Sequence, residues 1–420
     1  MKTLLILGAL SEFVPLVKMA KDKGIRTLVI DGNADAPAKA LADVSYDADI
    51  RDTAAIAEIA KREHADAITT AYSDLLLECM VKIADAAGLP CHITPSALPY
   101  YRDKAVMAQT CAALHIGTPR TVLLAKDFRD EELGEMAFPM VMKPLNMYGS
   151  RGLVVVHTIG EIRSFFDEAI FPTSGNKILV QEYNPDHEFN LQCWVRRGKI
   201  HILGLADREK TLFDPHTIPL STRNIYPSRL MKDVCAPAFF ALTKYIGKTG
   251  QKEGPLAMQF FWSEERGLQV GEIAARFLGY EHELMRYACG FSTEELLISG
   301  ALEDQMENLR SLDDILAAGD AYGKKSAAVL YYHAWNGTIA DMSGTLAVLH
   351  RPDVQYGQIF YHEGEQIGAP QAKPYAARFD IVTDTREETD TLTDEITRQV
   401  SMKDHEGREL LKKGVRGNYR

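Results

Sequence analysis

The sequence predicts a mixed α/β (α+β) protein: a parallel, helix-flanked N-terminal unit, then a strand-rich centre, then a mostly β tail. Three observations carry this. Short apolar runs at 4–7 (LLIL), 27–30 (TLVI) and 67–70 (AITT) are separated by helical patterns, as in a parallel sheet with crossover helices. Past the proline-dotted stretch 95–99, apolar runs near 139–143, 153–157, 178–182 and 191–195 follow one helical pattern over about 103–114, so strands outnumber helices. From about 323 the chain alternates apolar runs (327–332, 346–349, 378–382) with turn signals such as Asn336-Gly337 and Pro352-Asp353. Within the first unit, Leu76, Cys79, Met80, Ile83, Ala84 and Ala87 recur at helical spacing, and Gly88 and Pro90 stop that helix. In the tail, Thr385-x-x-Glu388 opens a helix faced by Leu392, Ile396 and Val400.

At a prior of about 150 residues per domain, 420 residues leave room for two or three domains. The net charge of −11, from 47 Lys+Arg against 58 Asp+Glu, comes without any basic block. This excludes the electrostatic footprint needed to grip nucleic acid or an anionic membrane. The six cysteines never approach closer than twelve positions, so there is no C-x-x-C pair or zinc-ribbon spacing, and they read as reduced thiols of a cytoplasmic protein. The opening MKTLLILGALSEF is read as a first buried strand rather than a signal peptide, because its apolar run is short and Glu12 follows. The uncharged stretch 326–340 falls short of the ~18 residues of a membrane span.

Three motif matches fail on inspection. Gly8 after the first strand, with Asp31 after the second, invites a dinucleotide site. The turn Gly8-Ala9-Leu10-Ser11-Glu12 lacks the second glycine that admits a pyrophosphate. Gly247-Lys248-Thr249 lacks the glycine five positions earlier, where Leu242 stands. His282-Glu283 has Arg286 where a zinc site needs its second histidine.

Other constellations are coherent. Lys143 ends an apolar strand on the face of Val141, and Gly149, Ser150, Arg151 and Gly152 follow before the next strand. A small-residue loop lets several N–H groups turn to one anion, and the lysine adds a point charge suited to phosphate; a surface hairpin with a solvated lysine is the alternative. Gln181, Glu182, Tyr183 and Asn184 run from a strand into irregular chain, where backbone groups can meet an adenine edge, and Glu188 can accept from ribose hydroxyls. Solvated acids at a strand end are the plain reading. Residues 257–261 and 268–273 form a hairpin that sets Gln259 beside Glu272, two oxygen donors suited to a hard cation.

Taken in order, these motifs resemble the ATP-grasp enzymes, in the branch containing carbamoyl-phosphate-synthase-like proteins, biotin carboxylase and amino-acid ligases. The resemblance spans nearly the whole chain. It implies a Rossmann-like pre-ATP-grasp domain over 1–98, an ATP-grasp domain over 99–322 with a lid at about 115–178, and a C-terminal β-rich domain over 323–420. It further implies that Lys104 and Lys143 hold nucleotide phosphates, that 149–152 cover them, and that 181–184 form the adenine hinge. Glu188 would hold the ribose. Glu272-Ile273-Ala274-Ala275-Arg276 stands where the family has E-x-N-x-R. ATP and Mg2+ are the implied cofactors, with Glu272 and Gln259 as metal-site residues and Arg276 at the reaction centre.

The departures bear on chemistry. Gln181 replaces the usual glutamate, Gln259 the first metal carboxylate, and Ala274 the asparagine. One magnesium shared by Glu272 and the triphosphate is compatible with this set, whereas a two-metal arrangement is not favoured. The implied reaction is phosphoryl transfer to a small carboxylate, then attack of an amine on the acylphosphate. Arg223 is a further candidate for the substrate carboxylate, or else a solvated loop arginine. Arg276 has the alternative of a structural bridge to Glu272. Bicarbonate activation, or an ATP-binding protein whose catalysis has decayed, are the competing readings. Apolar sheet edges in the first and last units suit a homodimer.

Overall fold

The computed structural model describes residues 1–144, 153–168, 177–211, 219–368 and 373–412. Its N-terminal unit contains β1 (Thr3–Leu7), α1 (Val14–Asp22), β2 (Arg26–Asp31), β3 (Val44–Asp47), α2 (Thr53–Arg62), β4 (Ala67–Thr69) and α3 (Asp74–Ala87). The four strands run parallel in the order β3-β2-β1-β4. The order reverses between β1 and β4, and open α/β sheets take ligands at such a switch point, outside the carboxyl ends of the strands. Gly8 turns the chain out of β1 at φ +104°, where a Cβ would stand 2.7 Å from the Phe13 ring. Asp31, once a candidate for a ribose, instead accepts from the N–H of Ala9 at 3.0 Å and of Asn33 at 2.8 Å, which fixes that turn. Ser73 caps α3, and Gly88, the predicted stop, ends it in the left-handed conformation. β3 lay outside the sequence expectation because its residues alternate between half-buried and exposed and form no apolar run.

The centre begins with α4 (Leu98–Arg102) and α5 (Lys104–Ala113). The side chain of Asp103 caps α5 by accepting from Ala105 and Val106 N–H at 2.8 and 3.1 Å. Next come β5 (Thr121–Ala125), β6 (Met140–Pro144), β7 (Val154–Val156), α6 (Ile159–Glu168) and β8 (Lys177–Glu182), forming an antiparallel sheet ordered β5-β8-β6-β7. One face packs Leu124, Met140, Met142, Val156, Ile178 and Val180 against Ile162 and Phe166 of α6. Alternation turns the other face, with Thr121, Val141, Lys143, Leu179 and Gln181, toward a cleft.

The opposite side of that cleft is a large antiparallel sheet. It uses β9 (His187–Arg196), β10 (Lys199–Lys210), β11 (Ser221–Tyr226), then α7 (Met231–Thr249), and the hairpin β12 (Gly254–Ser263) and β13 (Gly267–Ala274). Three helices follow, α8 (His282–Cys289), α9 (Thr293–Leu302) and α10 (Leu312–Ala318). The tail supplies β14 (Ser326–Ala334), β15 (Gly337–Thr338), α11 (Ser343–Leu349), β16 (Val354–Ile359), β17 (Gln366–Ile367), β18 (Ala377–Thr383), α12 (Arg386–Gln399) and β19 (Leu411–Lys412). The sheet order is β13-β12-β9-β10-β11-β14-β18-β16, so the tail's strands continue the central sheet without a break. The tail has its own apolar core, in which Val348 of α11 and Ile396 of α12 pack with Phe379 and Ile381 of β18. No helix among the described residues is long and apolar enough to cross a membrane.

The capping box read from the sequence closes α12: Thr385 Oγ1 accepts from Glu388 N–H at 3.2 Å, and Glu388 accepts from Thr385 N–H at 3.2 Å. Thr385→Ala removes one half of this exchange. The expected loss is about 1 kcal/mol in the unfolding free energy of the full chain, read from urea denaturation.

Candidate active site

The two sheets face each other across a cleft of about 370 Å³, closed at one end by α5. Strand alternation selects what enters it. On β6 and β8, Lys143 stands opposite Leu179 and next to Gln181, whose register partner is Val141. Lys143 Nζ donates to Gln181 Oε1 at 2.6 Å, and Gln181 Nε2 donates to Thr121 Oγ1 at 3.0 Å. The Gln181 side-chain oxygen is thus engaged by the lysine. On the hairpin, Gln259 and Glu272 are register partners, as expected, and Met258, Phe260 and Ile273 turn to the opposite, core side.

Glu188 is the electrostatic centre of the cleft floor. It is 3% exposed and lies between the Arg208 guanidinium, its register partner on β10, and the Gln259 amide, both in direct hydrogen bonds; Lys210 Nζ reaches its other oxygen at 2.7 Å. Burial pushes its pKa up, but Arg208 and Lys210 outweigh burial and hold it down at about 2. Arg208 and Lys210 share the cleft face of β10 because they are two residues apart; this alternation was the available signal, and the sequence reading passed over both.

Glu209 lies between them and points the other way. Its register partner is Arg223, whose guanidinium is held by Glu209 at 2.8 and 2.9 Å, Asp390 at 2.9 Å and Thr393 at 2.8 Å. Arg223 is 2% exposed and does not line the cleft, so neither a substrate role in this cleft nor a solvated loop describes it. It ties β11 to α12.

Arg276 does enter the cleft, held by Asp74 at the start of α3. Asp74 accepts from Nε and Nη2 of Arg276 at 2.6 and 2.7 Å, and Phe277 O accepts from Nη1 at 3.1 Å. Glu272 Oε1 is 3.7 Å from Nη2. Burial raises and the guanidinium lowers the pKa of Asp74, and the guanidinium wins. Two further cations point inward. Lys104 is the first residue of α5, where the helix dipole adds to its charge. Burial draws its pKa down against the pull of Glu272 and Asp74. Lys143 falls to about 8 through burial, reinforced by repulsion from Lys104.

Residues 181–184 also line the cleft. Glu182 accepts from Ala137 N–H at 2.8 Å, Tyr183 N–H donates to Pro139 O at 3.0 Å, and Asn184 Nδ2 donates to Gln269 Oε1 at 2.7 Å. Gly149, Ser150, Arg151 and Gly152 lie outside the described residues. No group of three or more His, Cys, Asp and Glu side chains capable of holding a metal occurs among the described residues. The donor set available to a hard cation is the half-exposed Glu272 carboxylate, with the neutral Gln259 beside it. It fits an ion that brings most of its oxygens with a ligand.

No family model matches the chain. A formate-dependent phosphoribosylglycinamide formyltransferase of Prochlorococcus marinus is 26% identical over 198 residues, covering 45% of this chain and 50% of the relative. The chain thus spans about half the length of that curated relative. The crystal structure of an L-amino acid ligase from Bacillus licheniformis superposes with a TM-score of 0.76 at 17% identity, over 96% of this chain and 99% of the other. An N5-carboxyaminoimidazole synthetase of Staphylococcus aureus, solved with ADP, gives 0.70 at 17% identity over 94% and 96%.

The lowered pKa of Lys143 has a measurable consequence. As pH rises through about 8 the free cleft loses this proton, and a bound polyphosphate favours the charged form. Should the cleft hold a nucleoside diphosphate, binding of ADP takes up protons at pH 8.5 and hardly any at pH 6.5. Calorimetry in buffers of different ionisation enthalpy measures this; equal proton uptake at both pH values contradicts it.

Proposed function

We propose, from the premise that this chain has the ATP-grasp fold, that it is an ATP-dependent carboxylate–amine ligase acting on small molecules. The observation that carries the reading is the convergence of Lys104, Lys143, Arg208, Lys210 and Arg276 on one cleft between two antiparallel sheets. That much positive charge in a half-buried site suits a polyphosphate.

In this reading Lys104, Lys143 and the α5 N-terminus hold the phosphates. The apolar walls formed by Val141, Leu179 and Val270 take the base, with the backbone of residues 181–184 along its edge, and Glu188 serves the ribose. The loop 149–152 is assigned to covering the phosphates on the sequence alone. Glu272, with Gln259 beside it, would hold the magnesium, which supplies charge neutralisation on the phosphates. Transfer of the γ-phosphoryl group to a carboxylate forms the new P–O bond as the bond to ADP breaks. Arg276, fixed by Asp74, is placed to stabilise the acylphosphate that results. The amine then attacks the acyl carbon, expelling phosphate and losing its proton. Catalysis here is mostly positioning and electrostatics, which a rigid cage of paired charges provides.

Magnesium-dependent phosphate release tests the reading. Stimulation by pooled amino acids is the expected result. Stimulation by bicarbonate alone would move the reading to a carboxylating enzyme, and tight ATP binding without turnover, to a decayed binder. Lys143→Ala is expected to raise the dissociation constant for ATP about tenfold or more, the worth of a charged hydrogen bond. Unchanged affinity would remove Lys143 from the site.

A further inference from the structure

We propose that Asp74 is a positioning residue which holds the Arg276 donors on itself, so that Arg276 stays out of hydrogen-bond reach of Glu272 and leaves that carboxylate open to the divalent ion that accompanies the nucleotide. The inference rests on the reading of this cleft as a metal–nucleotide site.

Two carboxylates compete for one guanidinium. Arg276 gives Nε and Nη2 to the two oxygens of Asp74 at 2.6 and 2.7 Å, the parallel fork that makes arginine–carboxylate pairs strong. Glu272 stands 3.7 Å from the same Nη2, beyond hydrogen-bond length. Burial follows the same division: the Asp74 and Arg276 side chains are each 12% exposed, whereas Glu272 is 41% exposed. One carboxylate is desolvated and paired by the guanidinium fork, and the other keeps an open face, as a ligand for a hard cation must.

The arrangement depends on the N-terminal unit. Asp74 opens α3 directly after its cap Ser73, in the connection that follows β4. Asp74 and Arg276 are 202 positions apart in sequence. Glu272 and Arg276, by contrast, are near neighbours at the end of β13. Without the Asp74 charge, the nearest anion for Arg276 is Glu272, a small side-chain rotation away. Its capture would set N–H donors and a positive charge where the metal belongs. The plain alternative is that Asp74 and Arg276 only staple the N-terminal unit to the hairpin; that predicts a loss of stability without any change in metal binding.

Mn2+ binding to the full chain, followed by electron paramagnetic resonance at saturating β,γ-imido-ATP, separates the two. Asp74→Asn keeps the shape and removes the charge, and is expected to weaken Mn2+ binding by about fivefold, the upper worth of a partly exposed ion pair. Adding Arg276→Gln to Asp74→Asn removes the competing guanidinium and should restore Mn2+ affinity. Unchanged affinity in Asp74→Asn, or no recovery in the double variant, overturns the proposal. Should Asp74→Asn fail to fold, the double variant is compared with Arg276→Gln alone. Equal Mn2+ affinity is then expected, since Asp74 has nothing left to restrain, and a clear difference overturns it. Failure of the nucleotide reading is visible separately, as absence of Mn2+ and nucleotide binding in the unsubstituted protein.

Discussion

Gathering Lys104, Lys143, Arg208, Lys210 and Arg276 around one partly desolvated cleft is the constraint on which the rest of this structure depends. Like charges in low dielectric repel, and each loses hydration. The lowered pKa of Lys143, caused by burial and then by Lys104, is the direct sign of that cost. A group whose folded pKa lies below its unfolded value penalises the fold while it stays charged, and the penalty is relieved only as pH climbs past about 8. A polyanion bound beside these cations would relieve it at any pH.

Three of the four acids lining the cleft have distinct parts in making this tolerable. Glu188 answers Arg208 and Lys210 on the cleft floor, Asp74 answers Arg276, and Glu272 is left half exposed. These three carboxylates come from β9, the N-terminus of α3 and β13. With Lys143 supplied by β6, the cleft draws on the N-terminal unit, the small sheet and the large sheet at once. In the proposed function Mg2+ would enter this balance as a ligand-borne charge, and Glu272 is the one half-exposed carboxylate among the three.

Much of this was legible in the sequence. The apolar runs became parallel β1, β2 and β4, the Thr385-x-x-Glu388 box became a helix start, and the runs 257–261 and 268–273 became a hairpin, in which Gln259 meets Glu272 only because the register shifts by one residue between Gln259 and Phe260. Each of these is decided locally, by periodicity or by a cap. What escaped was decided by partners far along the chain. Arg223 looked like any cleft arginine until β10 supplied Glu209 opposite it and α12 supplied Asp390. Arg208 and Lys210 are distinguished from Glu209 only by which face of β10 meets the cleft. Asp74 reads as an ordinary first-turn acid, and nothing near it in sequence announces Arg276. The continuity of the tail with the central sheet likewise depends on β11 pairing with β14, across about a hundred residues of intervening chain.

The most direct test is a crystal structure of the full chain with β,γ-imido-ATP and magnesium. The expected result is triphosphate oxygens in contact with Lys104 and Lys143, the ribose on Glu188, and one magnesium between Glu272 and the phosphates while Asp74 still grips Arg276. Nucleotide bound elsewhere, or a cleft in which these lysines make no phosphate contact, would contradict the account.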